Sequence, residues 1–545
     1  MATTNALTAE DIFKQFKQYS ISEFFRKNSQ MLGYAGKVRS LTTIVHEYLT
    51  NSIDACEEAG IMPEIAVEIN EIGENKYKVT VSDNGPGIPQ NIVGKALATI
   101  LAGTKFHRYM QQRGQQGIGA TGCTLFSAIT TGKPVHVRAS TGRSAYECDV
   151  ALDIKSNKPL LTNITRLEPD FRGTAITGEF GEVKYEASDH GVYEYVKRTA
   201  LTNPHATIKL RAPDGQEHVF LRSVEEMPKR PKQIKPHPLG VGTNDLIEFA
   251  HRTESKNLSS FLAESFSRVS DAKVAELKGL VDLDFGMSPK DLAWADAEKL
   301  IKAFKQVKWI APELDSLSTI GESQIELATK NILNPVFLSV VERKPRVFSG
   351  GVPFVVEACI AYGGNAGKQT ENGRTGTVLR FANKVPLLFD GSSCAISEAV
   401  NGIQWKRYGI GNFDEEPVSV LVNVSSVYIP YSGVGKQAIA QEDDIIEEIK
   451  LAVMDCGRAL QRHISGVRNQ NLQESRYNTV MRYVKQMSQD LSDITGISNT
   501  EIEKSLNSLI ESRYKRVEAA APEGSEETTD VEEGEAPPSD SESEG

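Results

Sequence analysis

The chain has 545 residues, with 61 Lys or Arg against 72 Asp or Glu, and 39% hydrophobic residues. That is length for roughly three or four domains with real cores, and no apolar run approaches the ~20 residues that cross a bilayer. The acidic excess sits at one end: 517–545 holds 11 acidic and no basic residues, leaving 61 of each sign in 1–516.

A neutral body neither demands nor excludes nucleic acid. The tail is rich in Ser, Gly and Pro and lacks aromatics, so it is expected to stay disordered, because it cannot offset chain entropy by apolar burial. Residues 1–10 have neither a basic start nor an apolar block, so no secretory signal is expected. The six cysteines form no CxxC pair, which fits a reducing, cytoplasmic setting rather than a zinc cluster or disulfide frame.

Residues 1–30 read as an irregular arm plus a short helix. Over 37–58, Leu41, Ile44, Val45, Tyr48 and Leu49 fall on one face at helical spacing. The alternating runs 65–70 and 77–83 predict strands joined by a turn at Gly73–Asn75. Glycines crowd 83–122, and further strands are expected at 134–139, 145–152, 173–180 and 206–211, with a helix at 189–202. The stretch 227–242 breaks all periodicity with four prolines and the basic residues Lys229, Arg230, Lys232 and Lys235, marking a domain boundary. Short helices are predicted over 243–310. A second mixed region from about 335 carries strands at 354–362, 376–382 and 418–428 and a long helix from Glu442. Helical patterns continue to about 515.

Three elements carry chemistry. The helix 37–58 aligns Glu47, Asn51 and Asp54 on one side. Asn is a hard oxygen ligand suited to Mg²⁺, and Glu can deprotonate a water attacking phosphorus, although a solvated polar face explains the same spacing. The run "SDNGPGI" (82–88) ends a strand with Asp83, a carboxylate placed to accept from an exocyclic amine, and its glycines allow close backbone approach. An ordinary turn is the alternative. The run "RGQQGIGATG" (113–122) precedes an apolar helical segment, where backbone N–H groups can hold phosphate. No Gly-Lys-Ser/Thr follows, so it is not a Walker A loop. The preceding 102–112 is a candidate lid, with Lys105 in reach of a phosphate.

In this order, and followed by "RGTAI" (172–176), these elements resemble the ATPase domain shared by gyrase B subunits, the large heat-shock chaperone, sensor histidine kinases and mismatch-repair ATPases. The resemblance implies an α/β sandwich of the Bergerat type, with helices on one face of a mostly antiparallel sheet. It implies ATP with Mg²⁺, Glu47 as general base, Asn51 as metal ligand and Asp83 as adenine reader. Gly87 would lie beside the base with Ile88, and Thr174 would fix the adenine through a water. Thr104, Lys105, Gly114, Gly117, Ile118, Gly119 and Gly122 would surround the nucleotide. His46, next to the base, reads as a core or helix-surface histidine.

Further on, "RFANKVPLLFDG" (380–391), "NGIQWKRYGI" (401–410) and "GVGKQAIA" (433–440) resemble the transducer of topoisomerase VI B subunits, and the likeness extends over about 10–485. It implies that Lys436 contacts the γ-phosphate from a second domain. The partition it suggests is an arm (1–25), an ATPase domain (26–228), a helix–two-turns–helix domain (229–312), a transducer (313–485), a helical extension (486–516) and the disordered acidic tail (517–545). The family's mechanism implies ATP-driven homodimerisation around double-stranded DNA. It also implies an A₂B₂ heterotetramer, in which the A subunits hold the cleavage tyrosine, and no membrane. Trp405, Lys406 and Tyr408 are candidate DNA contacts, weighed against a packing cluster, and the 229–235 run is read as a solvated linker. The alternative function is an ATP-driven protein clamp or chaperone of the same superfamily.

Overall fold

The computed structural model describes residues 23, 24, 27–100, 102, 109–114, 117–371, 373–433 and 435–519. Thr104, Lys105, nearly all of the expected arm and the tail beyond 519 lie outside them. The chain divides into two units, Met1–Gln461 and Arg462–Gly545.

The first unit opens with helix α1 (Lys37–Ala59), which ends at Gly60 with φ +71°. Its stripe of Leu41, Ile44, Val45, Tyr48, Leu49 and Ile53 is almost wholly buried. This stripe packs on β1 (Glu64–Gly73) and β2 (Lys76–Asp83), an antiparallel pair in which Val67 faces Val81 and Ile69 faces Val79. The alternation seen in sequence is the alternation of burial: Ile65, Val67 and Ile69 point inward while Glu64, Glu68 and Asn70 face solvent. Each buried aliphatic of this layer contributes about 1.5–3 kcal/mol, so the helix bearing the polar residues is held rigidly against the sheet.

Helices α2 (Gln90–Ala98) and α3 (Gly119–Thr131) follow, then β3 (Val135–Ser140), β4 (Ala145–Asp153), β5 (Lys158–Leu167), β6 (Gly173–Gly181), α4 (Val192–Thr202), β7 (Thr207–Arg211) and β8 (Glu217–Phe220). The eight strands pair in the order β5-β4-β3-β6-β2-β1-β7-β8, all antiparallel except β1 with β7. α2, β5 and β8 escaped the sequence reading: each is short on pattern, and β5 is exposed along most of its length.

After an irregular 227–242 with one short 3₁₀ turn, four helices, α5 (Thr243–Arg252), α6 (Leu258–Ser265), α7 (Asp271–Leu280) and α8 (Trp294–Phe304), enclose their own core around Phe261, Phe266, Leu277 and Phe304. Then come α9 (Glu322–Leu333), β9 (Phe337–Glu342), β10 (Arg346–Phe348), β11 (Val352–Tyr362), β12 (Lys368–Thr370), β13 (Gly373–Thr375), β14 (Thr377–Ala382), β15 (Val385–Pro386), α10 (Ala395–Asn401) and β16 (Val418–Ser426). In this sheet β14 runs parallel to β16, while β11 lies antiparallel between β16, β9 and β10. All nine residues of β16 are buried, as in a central strand covered on both faces, and its polar members, such as Asn423 and Ser426, are hydrogen-bonded.

Helix α11 (Asp443–Thr495) is followed at Gly496, φ +72°, by α12 (Asn499–Ala519). The sequence reading divided this stretch at 485/486. The helix runs through that point, because nothing before Gly496 interrupts it. All six cysteines are buried and free. Among the described residues no helix is long and apolar enough to cross a membrane.

Candidate functional site

A cavity of about 590 Å³ opens between α1, the β2 end, the α2–α3 connection and a loop of the second sheet. Its walls include Glu47 and Asn51 of α1, Asp83 at the end of β2, and Gly87, Ile88, Gly114, Gly117, Ile118, Gly119, Gly122 and Thr174. Lys436 joins from more than 250 residues later in the chain. Every expected nucleotide-site residue among those described therefore meets in one place.

One end of the cavity is built around Asp83. Its Oδ2 accepts from the Ser52 hydroxyl at 2.9 Å, and its Oδ1 accepts from the Gly85 N–H at 2.9 Å and the Thr174 N–H at 3.1 Å. A carboxylate has about four lone-pair sites, so one remains for an outside donor. Burial pushes its pKa above the ordinary value, against the pull of those three donors. Gly87 is required by contact as well as by its φ of +75°: a Cβ there would lie 2.1 Å from the Ser140 carbonyl oxygen. Ser52 was not singled out in sequence, although it sits one residue after Asn51.

At the other end Glu47 lies against the first turn of α3. A Cβ on Gly119 would fall 1.7 Å from its Oε2, so only glycine leaves room for the carboxylate beside the helix N-terminus. Asn51 is exposed to the cavity and makes no side-chain hydrogen bond to a described residue. His46 is neither solvated nor in the core: its Nδ1 pairs with the Tyr195 hydroxyl at 2.7 Å and its Nε2 lies 3.8 Å from Glu47. Burial lowers its pKa, Glu47 opposes, and nearby Lys436 adds to the lowering.

Lys436 stands at φ +51° in a loop closed by the Tyr431–Ile439 bridge and by Ser432 N–H to Ala438 carbonyl, 3.0 Å. Beside this loop, the segment 388–390 joins the two sheets. Arg39 of α1 holds Asp390 through two 3.2 Å bonds and lies 4.6 Å over the Phe389 ring, while Leu388 and Phe389 enter the α1 core.

Asp54, grouped in sequence with Glu47 and Asn51, is buried and does not face the cavity polar groups as they do. Arg113 binds it at 2.7 Å and binds Glu57 at 2.7 and 2.6 Å. Burial would raise the Glu57 pKa, but Arg113 and His205 hold it well below the ordinary range. The signal for this cluster was a lone arginine opening the glycine run.

Between the two readings of the 405–408 cluster, the structure shows packing. Trp405 and Tyr408 form a 3₁₀ turn and are buried, with Trp405 4.9 Å from the Phe413 ring and Tyr408 against Gly457 of α11. The rings are packing residues and offer no face for stacking; Lys406 and Arg407 are the exposed members. The basic run of the linker is solvated as expected: Lys229, Arg230, Lys232 and Lys235 are all exposed, and Lys232 pairs with Asp315 at 2.9 Å on the surface.

Residues 36–155 match the histidine kinase-, DNA gyrase B- and HSP90-like ATPase family, and 312–476 match the topoisomerase VI B subunit transducer family. The B subunit of type 2 DNA topoisomerase 6 from Pyrococcus horikoshii is 43% identical over 97% of this chain and 100% of its own. Its namesake from Methanothermobacter thermautotrophicus is 44% identical over 84% and 88%. The ATPase region of Saccharomyces cerevisiae topoisomerase II superposes at a TM-score of only 0.40 with 10% identity, over 83% of this chain and 98% of that one. With a shared sequence of this extent, an ATPase domain at one end of the first unit and a transducer sheet at the other, the chain belongs to the family of type 2 DNA topoisomerase 6 B subunits.

Proposed function

We propose that the cavity binds ATP and hydrolyses it with Glu47 as general base, and that this turnover drives strand passage by a type IIB topoisomerase. The observation that carries the reading is the meeting of Glu47, Asn51, Asp83 and Lys436 in one cavity, drawn from two segments of the ATPase domain and one of the transducer. Asp83 accepts from the adenine amine. The N–H groups at the start of α3 face the phosphates, where the helix dipole favours negative charge. Glu47 takes a proton from the water whose oxygen bonds to the γ-phosphorus as the bond to the ADP oxygen breaks. The Lys436 ammonium offsets charge on the transferring phosphoryl group.

Asn51 fits a Mg²⁺ ligand, since its side chain is spent on no other described residue and its oxygen is of the type that ion takes. Bound together with the phosphates, the ion supplies charge neutralisation. The wider assembly belongs to the same proposal: homodimerisation on ATP binding, a double-stranded DNA substrate, and an A₂B₂ complex whose A subunits hold the cleavage tyrosine. DNA contact rests on Lys406 and Arg407 rather than on the neighbouring rings. The deciding experiment is supercoil relaxation by the chain mixed with its cognate A partner, for wild type and Glu47→Ala. Equal ATP-dependent relaxation by both would refute the assignment.

A further inference from the structure

The transducer reaches the nucleotide site by a second route that does not pass through Lys436. Three consecutive residues, Gln111 to Arg113, lie just before the glycine run, and each is anchored differently. The Gln111 side chain is buried and pairs both ways with the Ser318 backbone, donating to its carbonyl at 2.9 Å and accepting its N–H at 2.6 Å. The Gln112 carbonyl accepts from Asn383, 3.0 Å, in the turn between β14 and β15. That asparagine is itself locked to Ser426 at the end of β16 by two bonds of 3.0 and 2.9 Å. Arg113 then turns the opposite way and grips Asp54 and Glu57 on the helix that carries Glu47 and Asn51.

Lys384 ties the same group together from the transducer side. Its ammonium donates to the Ser318 hydroxyl at 3.0 Å, and its carbonyl accepts from Thr202 at 2.7 Å. Asn203 joins the two halves, accepting from Arg113 at 2.7 Å and donating to the Lys384 carbonyl. A cavity of about 460 Å³ lies alongside, lined by Gln112, Arg113, Ser318, Asn383 and Lys384. The Gln112 amide is 8% exposed and has no partner at either its nitrogen or its oxygen. Buried amides are normally satisfied. One left unpaired beside an open space fits an interface with a second arrangement in which that amide is bonded.

We propose that Gln111 and Gln112 are positioning residues that couple the transducer to the phosphate end of the ATPase site. A shift of the β14–β15 turn or of Ser318 is carried through 111–113 to Arg113, and from there to the catalytic helix and the start of the glycine run. This rests on the nucleotide-site reading above, and it assigns the coupling to backbone and amide contacts that touch neither the adenine nor the phosphates.

The test uses the full chain with a non-hydrolysable ATP analogue. In wild type, exchange of the Ser318 amide is expected to change by about five-fold or more on analogue binding, the lower end of ordinary coupling between sites. Spin labels at Lys155→Cys and Glu398→Cys, exposed positions in a protein whose own cysteines are all buried, report the separation of the two domains. The analogue is expected to shift that distance in the otherwise wild-type protein. In Gln111→Leu it is expected to leave the distance unchanged, while the analogue still binds within about three-fold of its wild-type Kd, below ordinary coupling. A full shift in Gln111→Leu overturns the proposal. So does an unchanged Ser318 amide in wild type when 117–122 gains protection, and that arm decides the matter even if the variant fails to fold. If the analogue protects nothing in 117–122, the nucleotide-site reading itself falls, and the proposal with it.

Discussion

Gly119→Ala separates catalysis from stability at a single atom. The added Cβ would lie 1.7 Å from Glu47 Oε2 and 2.4 Å from its Cδ, so the carboxylate must move by more than an ångström. It is the end of a flexible side chain that is 29% exposed, so the displacement costs the fold little. Gly119 also has an ordinary φ at the first turn of α3, where alanine reduces unfolded-chain entropy and stabilises by about 0.4–1 kcal/mol. Stability is therefore expected to change by less than about 1 kcal/mol. Catalysis behaves differently, because a general base contributes about 10²–10⁴-fold, or roughly 3–5 kcal/mol of barrier, and only when it is within hydrogen-bond reach of the water. The expected result is kcat for ATP lowered by about 10²-fold or more, with the unfolding midpoint preserved and a non-hydrolysable analogue still bound. Adding Glu47→Ala to Gly119→Ala is expected to lower kcat little further than Glu47→Ala does alone, because both remove one function. A Gly119→Ala enzyme turning over within about three-fold of wild type, far inside the range for a lost base, would refute the placement of Glu47.

Glu47→Ala is expected to bind ATP and not hydrolyse it, as read by analogue binding beside phosphate release. Lys436→Ala is expected to lower kcat by about 10²-fold, the scale of one lost charge-stabilising donor, while a fluorescent adenine nucleotide still binds. Arg113→Ala removes the guanidinium that Asp54 and Glu57 share, and breaking a buried ion pair on one side costs about 3–5 kcal/mol, which is the loss expected in urea unfolding. A loss under about 1 kcal/mol, the exposed-pair range, would show the cluster to be solvated. Burial pushes the Glu357 pKa up to about 7 from 4.5, against donors that include Gly321 N–H and Asn423. An acid raised in the folded state stabilises fully below its unfolded value and loses that contribution as pH climbs through the folded one. Wild type should thus lose up to about 3 kcal/mol between pH 4.5 and 7 at this residue. Glu357→Gln should remove that slope, and parallel urea midpoints for the two proteins across this window would overturn the attribution.

The parts of the site legible in sequence are those fixed by local backbone. Glu47 and Asn51 are one helical turn apart, Asp83 ends an alternating strand, and the glycines lead a helix. In each case residue type and spacing alone determine the neighbourhood. The long, largely buried strands of both sheets were legible, while the short or more exposed ones, β5, β8, β9, β10 and β15, were not. What stayed hidden depends on long-range pairing. Asp54 reads as one more polar residue on the Glu47 face until Arg113, 59 residues on, is found beside it. Trp405 and Tyr408 carry the same letters whether they stack on a ligand or fill the space against Phe413 and Gly457, and only packing distinguishes the two.

Helix α1 shows why those hidden pairs bear on function. Over three turns it presents Glu47 and Asn51 to the cavity, Ser52 to Asp83, and Asp54 and Glu57 to Arg113. Its opposite face is locked by the buried stripe from Leu41 to Ile53, and its first turn holds the transducer through Arg39 and Asp390. A helix packed at this density does not bend to accommodate one contact independently of the others. A displacement of Arg39 or Arg113 is therefore shared by Glu47 as a movement of the whole element. The contacts of Arg39 and Arg113 thus place the two ends of one rigid helix on the transducer and on the segment that the transducer holds through Gln111 and Gln112.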